Sequence, residues 1–255
     1  MSDTTTRPEQ TGPLAFADFT HRWVHGFAAT ATATETELTA LDQQVGDGDF
    51  GMNLVAGLQA TLRLLSPPTG DAALPTGRAV TPAGPAAGTP PPGRAAPDAS
   101  PAAPLAAAAT AFLDEVGGTS GPLFGLLFQE LADAVREGGA GSPTAALAAG
   151  VRGGLAAIQR VGDAEVGDKT LVDALDPAAR ALAAATTDDP AQALGEAAGA
   201  AWRGVHDTTR STARRGRASY LGDRAAGVPD PGAVGIALLF TAAGGPVTSL
   251  APLLH

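Results

Sequence analysis

Asp42, Asp47 and Asp49 lie within eight positions of one another in the run Leu41-Asp-Gln-Gln-Val-Gly-Asp-Gly-Asp-Phe-Gly51. Carboxylates brought together repel unless a cation neutralises them, and hard oxygen ligands suit Mg2+ or Ca2+. Gly48 lets the backbone turn tightly enough for alternate side chains to point the same way. The run partly matches a calcium loop but lacks the later bidentate Glu of that pattern. Two descriptions therefore fit it: a divalent-cation site, or an acidic turn in solvent.

Three further stretches carry chemistry. Gly117-Gly-Thr-Ser-Gly-Pro122 runs directly into an apolar helical pattern at Leu123, Phe124 and Leu127. A glycine turn at a helix N-terminus presents backbone amides and positive potential, which suits a phosphate. It is not a Walker loop, because no Gly-Lys-Ser/Thr follows; an ordinary turn capped near Ser120 is the alternative. Arg214, Arg215 and Arg217 concentrate positive charge in a chain with 16 basic residues. That suits either phosphoryl oxygens or the C-terminal end of a helix dipole. Gly167-Asp-Lys-Thr170 is another glycine turn entering a helix. His21 and His25 are four apart but lack a third ligand, so they read as ordinary surface or core residues rather than a zinc site.

Helices must position these residues. Hydrophobic residues make up 44% of the 255 and aromatic residues 4%, with alanine dominant, which favours helices with small contact residues. The first helix runs from Leu14 to just before Gly46. The second carries Met52, Val55, Leu58, Leu62 and Leu65 on one face. Candidate helices follow at 105–115, 121–137, 143–160, 170–186, 190–213 and 231–243. Ser142-Pro143, Asp189-Pro190 and Asp230-Pro231 read as N-caps followed by a first-turn proline. No alternating strand pattern is present, so the expected class is all-α with eight helices. Between Ser66 and Pro104 lie 11 of the 21 prolines; this segment is expected to be a disordered low-complexity insertion, and residues 1–12 a disordered tail. The domain proper is expected over 13–255.

The formal net charge is −10, which disfavours nucleic acid and anionic membrane as partners. There are no cysteines, so thiol and Cys-zinc chemistry are excluded. No signal peptide is visible, and a cytoplasmic location is expected. Ala233–His255 lacks charged residues, but Gly244, Gly245 and Pro246 interrupt it; it reads as a buried helix, too short to span a membrane.

The stretches LDQQVGDGDFGMN, GGTSGPLFG, GDKTLVDALDP and GRASYLGDRAAGVPDPGA, in this order over residues 41–235, resemble the L subunit of dihydroxyacetone kinase and the equivalent C-terminal domain of single-chain kinases. The resemblance implies a barrel of eight antiparallel helices with a nucleotide at one end. It implies Asp42, Asp47 and Asp49 as ligands of two Mg2+ ions, and Thr119, Ser120, Asn53 and the turn of Phe50, Gly51 and Met52 on the phosphate side. Gly162, Thr170, Asp230, Pro231 and Gly232 would surround the nucleotide, ADP or ATP, and Arg217 would reach the transferring phosphoryl group. Where the family usually has histidine and sometimes cysteine, this chain has Phe50, which removes a polar contact. The implied function is phosphoryl transfer to a short ketose held by a separate K subunit. The donor would be ATP or a phosphotransferase-system protein that rephosphorylates bound ADP. The alternatives are the related domain of fatty-acid kinases and a non-catalytic nucleotide-binding regulator.

Overall fold

The computed structural model describes residues 13–66, 100–138 and 141–254. Eight α-helices are present among them: α1 (Pro13–Val45), α2 (Phe50–Leu65), α3 (Ala103–Asp114), α4 (Ser120–Gly138), α5 (Pro143–Gly162), α6 (Val172–Ala184), α7 (Pro190–Thr208) and α8 (Pro231–Thr241). No strand occurs among the described residues. Each helix packs on its successor, and α8 returns to α1. The expected caps form: Ser142, Asp189 and Asp230 accept hydrogen bonds from Ala145, Ala191 and Ala233 at 3.2, 2.9 and 2.7 Å, each ahead of a first-turn proline. These bonds satisfy amides that a helix N-terminus leaves unpaired.

Several sequence expectations shift. Residues 209–213 leave α7, and a 3-10 stretch, Arg217–Ala225, stands where no element was expected. Met52 is exposed; α2 buries Leu54, Val55, Leu58 and Thr61 instead. Pro104 falls in the first turn of α3 rather than in the insertion, a position where its missing amide costs nothing. The tail at 1–12 and most of the proposed insertion, 67–99, lie outside the described residues.

The core is lined with small residues and a few large rings. Phe112 and Phe128 approach to 5.5 Å between centroids, and Phe27 stacks on Phe124 at 6.5 Å. Trp23 donates its indole N–H to the Leu239 carbonyl at 2.7 Å, tying α1 to α8. Close helix approach depends on absent side chains. A Cβ at Gly204 of α7 would sit 2.0 Å from the carbonyl oxygen of Asp173 in α6. That carbonyl is four residues before Pro177, which has no amide to give it. Helix α7 fills the gap with the backbone of Gly204.

Helices that alternate up and down put every odd-to-even connection at the same end. Residues 46–49, 115–119, 163–171 and 209–230 are those connections. They contain the acidic run, the glycine turn, the Gly-Asp-Lys-Thr turn and the arginine cluster. Helix α2 leaves this end at Phe50 and spans 16 residues, about 24 Å at 1.5 Å per residue. Ser66 therefore lies at the opposite end of the molecule.

Candidate functional site

Asp42 closes the last turn of α1. Its carboxylate is buried, and one oxygen accepts the Phe50 amide at the start of α2, at 3.1 Å. A Cβ at Gly46 would sit 2.2 Å from the other oxygen, and Gly48 has φ +76, so both positions need glycine. The turn brings Asp47 and Asp49 alongside, so that one oxygen from each of the three aspartates lies within 4.8 Å of the others. Asp49 is the N-cap residue of α2 but makes no side-chain capping bond. Its carboxylate is thus left for the cluster.

Burial, first, pushes the Asp42 carboxyl above its ordinary range, and repulsion from Asp47 and Asp49 adds to this. Among the described residues, the three carboxylates make one ion pair, between Asp47 and the Arg217 guanidinium at 3.0 Å. A divalent ion fits this donor set: three hard oxygens, converging, with net negative charge uncompensated.

The cluster forms one wall of a cavity of about 250 Å3. Thr119 and Ser120, at the N-terminus of α4, face it. Gly118, with φ +74, brings this turn near Asn53 and Asp49. The cavity continues past Leu123, Ile158, Gly162, Ala164, Thr170 and Leu171 to Asp230, Pro231 and Gly232 at the N-terminus of α8. Its roof is Arg215–Ala218 of the arm between α7 and α8. Burial pushes the Asp230 carboxyl up to about 7.

Of the residues that the resemblance assigns to metal, phosphate or nucleotide, all line this cavity except Gly51 and Met52; Arg214 of the arginine cluster does not. Gly51 packs against α1, where a Cβ would meet the Glu35 carbonyl at 2.6 Å, and the Met52 side chain points to solvent. Both remain first-turn residues of α2, whose amides lack helical partners. The Phe50 ring turns inward, 6.3 Å from Phe124 and against Gly235. Sequence reading missed Leu171 and Ile158 on the wall, and gave Lys169 and Arg215, which it met inside the glycine turn and the arginine cluster, no place at the nucleotide. The apolar ones carry no signal beyond helical periodicity. For Lys169 a signal existed: it is the only lysine in the chain.

A domain described as the DAK2 domain matches residues 93–244. The chain belongs to the DAK2-domain family. Among its DAK2 relatives is a protein of Listeria innocua, named PEP-dependent dihydroxyacetone kinase 1, ADP-binding subunit DhaL. It is 30% identical over 88% of this chain and 94% of its own length. D-erythrulose kinase of Mycolicibacterium smegmatis is 30% identical over 93% of this chain but 38% of its own length. The solved dihydroxyacetone kinase of C. freundii, in complex with AMP-PNP and Mg2+, superposes with a TM-score of 0.56 at 22% identity. The match covers 96% of this chain and 36% of that one. The chain thus spans nearly all of a stand-alone subunit and under two fifths of the single-chain kinases. No described helix is long and apolar enough to cross a membrane.

Proposed function

We propose that this chain is the nucleotide-binding, phosphoryl-donating subunit of a short-ketose kinase. The observation that carries this reading is the convergence of Asp42, Asp47 and Asp49 at one cavity wall, facing a helix N-terminus and an arginine. Carboxylate and phosphate both carry negative charge, so a nucleotide can lie here only with Mg2+ between them. When bound, Mg2+ neutralises charge on the phosphate oxygens and orients them; Asp42, Asp47 and Asp49 would hold it, as a pair of ions in the fuller reading.

Thr119, Ser120 and Asn53 hold phosphate oxygens, joined by the amides of Gly51 and Met52. Phe50 contributes its ring to the core and its own amide to Asp42. Gly162, Thr170, Asp230, Pro231 and Gly232 enclose the nucleoside, ADP or ATP. Arg217 meets the phosphoryl group as charge spreads over its equatorial oxygens. Relatives that this chain covers over most of their length are named as ADP-binding subunits, which leaves the acceptor to another protein. The acceptor therefore sits on a separate K subunit that docks over the arm, in the cytoplasm. A phosphotransferase-system protein is the alternative source of the phosphoryl group; nucleic acid has no place at this acidic end.

The test is calorimetric titration with Mg-ADP, with mass spectrometry of any nucleotide that copurifies. Wild-type protein should bind Mg-ADP, and Asp47→Asn should bind at least about tenfold more weakly while keeping its helical circular dichroism. Equal affinity in the two proteins would remove the acidic cluster from the site.

A further inference from the structure

Lys169 is the one basic side chain of the 16 that is not arginine. It is also the most deeply buried basic side chain among the described residues, at 1% exposure, and adopts a left-handed backbone with φ 62. Its ammonium donates to two carbonyls, those of Thr208 and Val228, each at 2.6 Å. These mark the two feet of the arm, where the chain leaves α7 and returns toward α8. Two more bonds close the same neck: Gly227 N–H to the Thr209 carbonyl at 2.9 Å, and Asp230 N–H to Thr208 Oγ1 at 2.9 Å. Asp230 and Asp173 supply the nearby negative charge.

The geometry explains why this position is not another arginine. Two carbonyls converging on one point suit a compact ammonium with three donors, whereas a planar guanidinium spreads its donors across a fork. Burying that charge is unfavourable, so the position is held against an electrostatic cost. The loop around Lys169 also grips the first half of the arm. The Asp168 carbonyl accepts from Arg214 N–H at 3.0 Å, and Asp163 pairs with Arg215 at 2.7 Å.

Arg217 itself has little to hold it. It is 61% exposed, and its one ion pair among the described residues is with Asp47; an exposed pair of this kind is worth about 0–1 kcal/mol. Its place above the acidic cluster must come from the arm's attachment. We propose that Lys169 is a positioning residue for phosphoryl transfer: its ammonium closes the neck of the 209–227 arm and so fixes Arg217 over Asp47. This rests on the role given to Arg217 above.

The test uses the full chain. In Lys169→Met, amides of 209–227 should exchange with deuterium at least about tenfold faster, while those of α4 and α5 stay as in wild type. Turnover of Mg-ATP with a dihydroxyacetone-loaded K subunit should fall about thirtyfold or more, with KM for Mg-ATP within about threefold, the split expected when a group is needed in the transition state. The chain has no cysteine, so Lys169→Cys can be aminoethylated while unfolded and then refolded. The restored ammonium should recover both arm protection and turnover. Exchange that rises equally in all helices, or turnover that survives in Lys169→Met, overturns the proposal.

If Lys169→Met does not fold, wild-type protein still decides. Lys169 and the chain's α-amine are its only amines, so an acylating reagent reads the neck directly. Lys169 should acylate at least about a hundredfold more slowly in the folded protein than in the same protein unfolded in urea, in line with closure by local structure. Equal rates show an open neck and sink the idea. Failure of wild type to bind Mg-ADP would instead overturn the nucleotide reading, leaving the exchange and acylation results to judge the neck.

Discussion

Arg217→Ala separates catalysis from stability. The side chain is 61% exposed, and its partner Asp47 is 36% exposed, at 3.0 Å. Screening limits such a pair to about 0–1 kcal/mol, so the melting temperature should drop by no more than about 4 °C for a domain of this size. Removing Arg217 also relieves Asp47 of competition for its charge, so Mg-ADP affinity should change little. The transition state is different. Charge spreads over three equatorial oxygens, and arginines placed there elsewhere contribute about 10^3 to 10^5 in rate. A hundredfold loss in kcat, about 2.7 kcal/mol, is the least expected here. The assay is coupled turnover with a K subunit and dihydroxyacetone, beside calorimetry with Mg-ADP and a thermal melt. Arg214→Ala should do little, since that side chain is 73% exposed and reaches Asp168 only at 3.6 Å. Arg215→Ala should cost up to about tenfold, because Arg215 lines the cavity and ties the arm to Asp163. Near-normal turnover in Arg217→Ala, with loss in a neighbour, would refute the assignment of the transferring cation.

Asp230→Asn tests the buried carboxyl. A pKa raised from 3.8 to about 7 means the folded protein holds a proton that the unfolded chain releases. The resulting stabilisation is full below the unfolded pKa and is lost as pH rises through about 7. Urea denaturation should show wild type losing stability relative to Asp230→Asn between about pH 4 and 7, since asparagine caps α8 as well but does not titrate; parallel pH curves would show a carboxyl that ionises in its ordinary range. Gly204→Ala should destabilise by about 3 kcal/mol or more, because the new methyl meets a backbone carbonyl that cannot swing away. A denaturation midpoint equal to wild type would mean α6 and α7 separate more easily than their packing indicates.

The fold was legible because its punctuation is local. Three Ser/Asp-Pro pairs announced three helix starts, and Gly46 ended α1 one residue beyond Val45. The site was legible in pieces, since each glycine-rich connection carried its own chemistry. What brings the pieces together is the up-and-down order of the helices, which follows once their number and short connections are known. Other features resisted. The inward turn of Phe50 depends on space above Gly235, and the exposure of Met52 on where α1 and α3 lie; neither is visible in α2 alone. Residues 209–213, the start of the arm, were read as an extension of α7 because Arg210–Ala213 keeps helix-compatible composition. Only Lys169, 39 residues earlier in sequence than Thr208, shows where that helix stops.

The neck of the arm has a bearing on how such proteins diversify. Both feet are fastened to one ammonium and to each other, so α7 and α8 do not depend on what lies between them. Lengthening a loop whose ends are already joined adds only about 0.6 kcal/mol per doubling. The part of the arm beyond Ala218, which does not line the cavity before Asp230, can therefore vary in length while the helices keep their register and Arg215–Ala218 keep the roof. A lineage could recast the surface offered to a new acceptor-carrying protein by editing this one segment, leaving the acidic cluster and the nucleoside slot beneath it untouched.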